Sequence, residues 1–549
     1  MPRGIRGERV ALLGLAIAVV VSVVWLLRLD SQLTFIADDW MLLVKRHEWS
    51  FDYFLHPFHG NIVLGPGVVY KALQETVGMG SATPYYFVAV ATFALSAVLL
   101  FFYLRRRVGD WLALLGAVLI LFLGAAFEDL LFAFQVGYFG SVAAGLGMLL
   151  CLDREDEKWD RVACGLLVVS LAFGSLGLAF AAGAVVDFAL GRRPRGRRFY
   201  VAFGPIVLFT LWWLGWGRGG ENHISLDNIL HTPEFVFNAA SAGFTSLLGL
   251  ATGDGSEPDQ PHLIWGKLLL IGGALLLLAR VVRQREISRG LGVALAIGLA
   301  FWILAGVNRD ETRLPTSSRF QYPSAVFLLL IVGEGLRGLR PPRLALVAAA
   351  VITALSIQGG ISLIEREHEE RWLPYADSLR AKLGAIEVAG PAADPDFNVF
   401  FPPDINAPAG DYLRAVEDFG SPAFSEEEIE DHPEADLATA DVVLAQSLGL
   451  ALAPPPQSRP SRCQRLEATQ DGATDLTLFP GAYSFENLGR LPVEIMLSRF
   501  SSELSVVMGA LEPEATSSLT IPEDSSERPW DLGLRGAGSV ELCITETRR

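Results

Sequence analysis

Residues 10–29 carry a single charge, Arg28, in a run of Val, Leu, Ala and Ile. A helix of that length crosses the roughly 30 Å hydrocarbon core of a bilayer. Nothing else in the chain constrains its fold as strongly, because in lipid the backbone satisfies its polar groups only as helix or closed barrel. Comparable runs recur at 82–104, 111–126, 134–152, 199–217, 262–282, 291–307, 322–336 and 344–364. Apolar residues make up 51% of the 549 and charged residues 19%, against about 45–50% and about 25% in soluble domains. The pattern excludes a soluble enzyme, a disordered chain and a small disulfide scaffold. Twelve Trp and 33 Phe also suit a bilayer protein.

Arg3, Arg6 and Arg9 precede the first run, as in a signal peptide. Its core is too long for one and no small-residue cleavage site follows, so it reads as an uncleaved anchor. The stretch 162–190 is too long for one upright span. Basic residues flank it on both sides: Arg154, Lys158 and Arg161 before, and Arg192, Arg193, Arg195, Arg197 and Arg198 after. Both flanks therefore face the cytoplasm, and the chain enters and returns, turning at Gly174-Ser175-Leu176-Gly177. The count is eleven spans. Loops placed inside hold 21 Lys or Arg and short loops placed outside hold 7, which puts the N-terminus in the cytoplasm. The expectation is a multi-pass protein of the cell membrane with an extracytoplasmic C-terminal region.

The net charge of −16 is uneven. From residue 365 onward there are 34 acids and 14 bases, and before it 26 acids and 30 bases. Such an acidic tail excludes nucleic acid as a partner. Within it, 365–383 reads as a polar helix and 379–452 as mixed helix and strand, with the acidic run 426–431 as a solvated loop. Pro454-Pro455-Pro456 reads as a linker. From Cys463 the period becomes two, with Val493, Ile495 and Leu497, then Val540, Leu542 and Ile544, on one face. Short strands of this kind suggest a β-sandwich. The expected domains are 1–364 in the membrane, a mixed α/β region at 365–453 and a β-sandwich module at 454–549. Cys463 and Cys543 bracket the module; they either join its first and last strands or stay as two buried thiols, and sequence leaves both open. Cys151 and Cys164 read as packing residues.

The chemistry concentrates on the outer face. The first outer loop begins Phe35-Ile36-Ala37-Asp38-Asp39-Trp40. Two adjacent carboxylates near the interface suit a general base, since lowered dielectric raises a carboxylate pKa, or a divalent cation site. Asp39 also suits the N-cap of an amphipathic segment at 40–55, with Trp40, Leu42, Leu43, Val44, Trp49, Phe51 and Phe54 facing lipid. His56 and His59 follow, three apart. They can meet one substrate, but with no third ligand at matching spacing zinc is the weaker reading. Glu128 and Asp129, followed by Gln135, form a second acidic pair on the same face, consistent with a polar pocket or with solvated loop ends. Arg309, Arg313 and Arg319 lie on the outer side, against the positive-inside bias. Phosphate binding is one reading and ion pairing with Asp310 or Glu311 the other. Glu334 and Asp187 fall near inner helix ends, where they reach the interface. No phosphate-binding glycine loop, Ser-His-Asp signature or CxxC motif is present, so ATP-driven and redox chemistry have no support.

With Asp38-Asp39-Trp40, Glu128-Asp129, the hairpin around Ser175 and Ser318-Arg319-Phe320-Gln321-Tyr322-Pro323, residues 10–364 resemble the bacterial GT-C superfamily of polytopic membrane glycosyltransferases. The resemblance implies an α-helical polytopic fold of about eleven spans, often with an outer C-terminal domain. It implies a polyprenyl-phosphate-linked sugar as donor and an envelope glycan, lipid or protein as acceptor, with hexosyl or pentosyl transfer. Asp38 then acts as the general base, with Asp39 as its neighbour. Asp39 and Glu128 hold a divalent cation, magnesium or manganese. Arg319, Arg313 and Tyr322 bind the lipid phosphate, while Glu128, Asp129, Gln135, His56 and His59 line the pocket. Two other classes fit the spans: a flippase for lipid-linked sugars, which needs ionisable residues at mid-depth, and an envelope scaffold, for which eleven spans exceed the task.

Overall fold

A computed structural model describes residues 5–45, 49–154, 156–191, 198–220, 223–250, 263–310, 313–339, 341–398, 407–454, 460–474 and 476–545. The arginines at 192, 193, 195 and 197, together with Arg46, Glu48, Glu311, His262, Pro455 and Pro456, lie outside the described residues. The chain divides into two compact units. The first comprises Met1–Leu33, Glu48–Leu73 and Thr83–Trp372; the second comprises Thr34–His47, Gln74–Ala82 and Leu373–Arg549.

The first unit is built from helices. α1 (Ile5–Asp30) is followed by the short α2 (Phe51–Leu55) and by α3 (Leu64–Val77), whose last residues belong to the second unit. Then come α4 (Thr83–Val108), α5 (Asp110–Leu121), α6 (Phe127–Leu130) and α7 (Val136–Leu152). α8 (Glu157–Phe173), α9 (Gly177–Leu190) and α10 (Phe199–Gly215) form the next group. α11 (Leu226–Leu247), α12 (Leu263–Gln284), α13 (Arg289–Val307), α14 (Gln321–Gly335) and α15 (Arg343–Glu367) complete it. The expected hairpin turns between α8 and α9 at Gly174, and the side chain of Asp156 caps the entry to α8 by accepting from the Lys158 N–H.

All eleven apolar runs are helical in their described residues, but among the described residues six helices are long and apolar enough to cross a membrane, or seven if α5 and the segment after it, bent by 40°, count as one. The shortfall is one of length. α9 and α10 have 14 and 17 residues, or roughly 21–26 Å at 1.5 Å per residue, shorter than the hydrocarbon core. The protein is a multi-pass membrane protein on those longer spans.

α11 answers to no expected span. Its first turns hold Asp227, Asn228, His231 and Glu234, which masked it among loop residues. Its second half, from Ala239 to Leu247, is almost entirely buried against α12, α13 and α14.

Glu334 and Asp187 do not reach the interface but are buried in ion-pair networks. Arg107 Nε meets Glu334 Oε1 at 2.6 Å, and the Tyr103 hydroxyl donates to the same oxygen at 3.0 Å. Arg198 donates to Asp187 at 2.7 Å and Arg289 Nε donates to it at 2.6 Å. These pairs fasten α4 to α14 and α9 to α13, and a buried charge needs such a partner to be tolerated.

The second unit contains α16 (Leu373–Ala389), α17 (Ala409–Phe419), α18 (Glu426–Glu430) and α19 (Glu434–Ser447). The region read as mixed helix and strand is thus helical in its described residues. The acidic run is a helix rather than a loop. Ser425 and Glu428 form a reciprocal capping box at its start, and acids in a first helical turn favour the helix dipole.

Eight strands follow: β1 (Pro460–Ala468), β2 (Thr477–Leu478), β3 (Gly481–Asn487), β4 (Val493–Ser498), β5 (Val506–Leu511), β6 (Thr516–Ile521), β7 (Trp530–Gly536) and β8 (Gly538–Thr545). They form two antiparallel four-stranded sheets, ordered β1-β8-β3-β6 and β2-β7-β4-β5. Val493, Ile495, Leu497, Trp530, Leu534 and Val540 are core residues. Cys463 lies directly opposite Cys543 and the two are joined as a disulfide.

Two pieces of the first loop are built into this second unit. The side-chain amide of Gln74 donates to the Leu43 carbonyl at 2.9 Å, and Met79 N–H donates to the Phe419 carbonyl at 2.7 Å. Gly78 sits beside that contact with φ +74°, and a Cβ there would lie 2.4 Å from the Phe419 oxygen; only glycine meets both demands.

Candidate active site

Two groups of expected site residues are assembled, one in each unit. In the first unit, α6 and the single 3₁₀ turn Ser318–Phe320 come together. Ser318 is buried and bridges them: its hydroxyl accepts from Glu128 N–H at 3.1 Å and donates to the Ala125 carbonyl at 2.7 Å. The next residue completes the joint, with Arg319 N–H donating to Glu128 Oε2 at 3.2 Å. Asp129 is fully buried, and neither of its carboxylate oxygens has a hydrogen-bond partner. An unpartnered buried carboxylate is costly, and such groups concentrate at functional sites.

The turn before α14 is held from below. Gln321 accepts from the Ser246 hydroxyl at 3.0 Å and donates to the Ser317 carbonyl at 3.0 Å. Behind α6, glycine meets glycine: a Cβ on Gly124 would lie 2.2 Å from the Gly360 carbonyl oxygen. Those two glycines let α15 pass directly against the turn that leads into Glu128.

The three outer arginines separate into two kinds. Arg309 donates to Asn228 at 2.9 Å and to Asp227 at 3.0 Å. Arg313 pairs with Asp310 at 3.1 Å and donates to the Asn308 carbonyl at 3.1 Å. Both tie their loop in place, Arg309 to the start of α11. Arg319 sits at the joint with the acids. Tyr322, expected beside a phosphate, is instead a core residue of α14: it is fully buried, its hydroxyl donates to Ser96 at 2.7 Å, and its ring packs on Phe93 and Phe139.

His56 and His59 lie in the first unit, in a tight turn. Phe58 and Asn61 exchange backbone hydrogen bonds at 2.9 and 2.8 Å, and His59 takes φ +45°. Phe58 packs edge-on against Phe134, the neighbour of Gln135. His56 is exposed and His59 and Gln135 are half-buried.

Asp38 and Asp39 belong to the second unit, and the structure distinguishes them. Asp39 is fully buried and accepts the Ile36 N–H at 2.9 Å. Its backbone N–H returns the bond to the Ile36 carbonyl at 3.1 Å, so Asp39 closes the turn on which it sits. Asp38 is half-buried at the apex. Trp40, Leu42, Leu43 and Val44 are buried rather than laid along a lipid surface, and the expected single helix is a π-helical turn, Met41–Lys45, followed separately by α2. These four residues pack within the second unit, which a local pattern could not reveal, whereas Trp49, Phe51 and Phe54 lie in the first, where Trp49 and Phe51 are exposed.

The expected cation ligands Asp39 and Glu128 thus lie in different units. Among the described residues, Cys463, Glu541 and Cys543 lie close enough together to hold a metal, but those two sulfurs are joined to each other. Asp129, with two unpartnered oxygens beside Glu128, is the better oxygen donor for a hard cation. Sequence reasoning missed Ser318 and Gln321 as the residues that hold the joint, although both stood in the Ser318–Pro323 motif.

No family model and no curated protein matches the chain. It is similar to the solved structure of an archaeal oligosaccharyltransferase, AglB from Archaeoglobus fulgidus, in complex with an inhibitory peptide and a dolichol-phosphate, with 14% identity, a TM-score of 0.41, and coverage of 80% of this chain and 69% of that one.

Proposed function

We propose that the protein is a membrane glycosyltransferase that moves a sugar from a polyprenyl-phosphate donor to an acceptor on the outer face of the cytoplasmic membrane. The observation that carries this reading is the joint of Glu128, Ser318 and Arg319 around buried Asp129. An arginine whose backbone is fixed beside a buried acid suits a phosphate that must be bound and then released.

In this reading Asp38 takes the proton from an acceptor hydroxyl. The acceptor oxygen forms its bond to the anomeric carbon as the bond from that carbon to the phosphate oxygen breaks. The electron pair leaves with polyprenyl phosphate, whose charge Arg319 stabilises. A magnesium or manganese ion held by Asp129 and Glu128 would add positive charge for the donor phosphate. Arg313, paired to Asp310, keeps the loop in shape. The N-terminus lies in the cytoplasm and the C-terminal unit outside, in keeping with the arginine bias of the loops.

The test is transfer by purified protein in detergent, with a polyprenyl-phosphate sugar and a native envelope extract as acceptor. Labelled product from wild type and none from Asp38→Asn or Arg319→Ala supports the reading. Full transfer by both variants overturns these assignments. Movement of the lipid-linked sugar across proteoliposomes without product would establish the flippase instead.

A further inference from the structure

We infer that Trp40 and Tyr412 are positioning residues for Asp38, so that the C-terminal helices set the place of the acid. The inference rests on the role proposed for Asp38 and adds which side chains determine where that carboxylate stands.

Asp39, Trp40 and Met41 donate their N–H groups to the carbonyls of Ile36, Ala37 and Asp38 at 3.1, 3.3 and 3.2 Å. Ala37 takes φ +45°. A left-handed alanine persists only where its surroundings over-determine it, and a short turn cannot do that alone.

The anchor is Trp40. It is fully buried and donates from Nε1 to the Phe35 carbonyl at 3.0 Å. Its ring meets Phe35 edge-on at 5.8 Å and Tyr412 edge-on at 5.8 Å. Tyr412 is fixed in turn: it is fully buried and its hydroxyl donates to Glu387 at 2.5 Å, where the Ser421 hydroxyl also donates at 2.5 Å.

Tyr412 and Phe419 stand seven residues apart on α17, on one face of the helix. The ring of the first holds Trp40, and the carbonyl of the second holds Met79. One helix therefore grips the first loop at both of its incorporated pieces. The helix α17 thus holds the turn that carries the acid.

The experiment compares wild type with Tyr412→Ala, Tyr412→Phe and a control, Val493→Ala, which opens the sandwich core of the same unit. Two readouts are taken on the full-length protein: steady-state kinetics with a polyprenyl-phosphate sugar, and hydrogen exchange at amides 36–41. Tyr412→Ala is expected to lower kcat on the order of tenfold to a hundredfold, leave donor KM within roughly twofold, and speed exchange at 36–41. Tyr412→Phe keeps the ring edge and retains most of kcat and of the protection. Val493→Ala loses stability without changing kcat per folded molecule. Unchanged exchange at 36–41 in Tyr412→Ala overturns the inference, as does an equal fall in kcat for the control. If wild type transfers no sugar, the donor reading fails, and exchange at 36–41 still decides whether Tyr412 holds the turn.

Discussion

Arg319 donates its backbone N–H to Glu128 Oε2, across 191 residues of sequence. Truncating the side chain leaves this hydrogen bond in place and removes the cation. Arg319→Ala is expected to lose a co-purifying polyprenyl-phosphate lipid. Arg313→Ala is expected to keep that lipid, because Arg313 is paired with Asp310. Mass spectrometry of lipid retained from a native extract checks both. Retention by Arg319→Ala would remove the phosphate role.

Ser318 predicts the opposite behaviour. Its hydroxyl serves Glu128 N–H and the Ala125 carbonyl at once. Ser318→Ala leaves both groups without that partner, at about 1–3 kcal/mol for each buried group left unsatisfied. Thermal unfolding in detergent should shift downward, and Ser318→Thr, which keeps the hydroxyl, should recover part of the loss.

The acids of the first loop should separate in function. Asp38→Asn is expected to abolish transfer with little change in stability, since Asp38 is half-buried at the apex. Asp39→Ala removes the acceptor of Ile36 N–H and is expected to destabilise the second unit by about 1–3 kcal/mol. Unfolding curves and product assays on the two variants test this; a stable, active Asp39→Ala protein would contradict it.

Asp441 gives a pH dependence. Burial pushes it from 3.8 up to about 6, although it accepts the N–H groups of Arg499, Phe500 and Ser501. As pH rises from about 4 to about 6, the folded state holds a proton that the unfolded chain has lost. This contribution therefore falls across that window, by about 3 kcal/mol in all, and is constant above it. Asp441→Asn does not titrate. The Tm of wild type should drop relative to the variant between pH 4 and pH 6, and a gap independent of pH would refute the assignment.

What the sequence made legible was whatever is local. The helical runs, the return at Gly174 and the strands β4 and β8 follow from period and punctuation over a few residues, although β4 is buried on both faces save Glu494 and Ile544 of β8 is exposed. α11 escaped because its polar first half hides an interface with α12, α13 and α14 that is only apparent in three dimensions. The segment around Trp40 carries an apolar pattern that serves a lipid surface or a protein core equally well. Its partner, Tyr412, stands more than 370 residues away, beyond any window. The acids at 128 and 129 were visible as a pair, but the burial of Asp129 and the bridging by Ser318 depend on a turn from the far end of the membrane unit.

The strand order has a consequence for biogenesis. β8 lies inside its sheet, between β1 and β3, and carries one half of the Cys463–Cys543 bond. β1 has no neighbour until β8 has been made and delivered to the same compartment, and β3 until then pairs on one side only, with β6. The sheet closes last, and a chain stalled or clipped before β8 exposes two adjacent strand edges and a reactive thiol to whatever quality control patrols that side of the membrane.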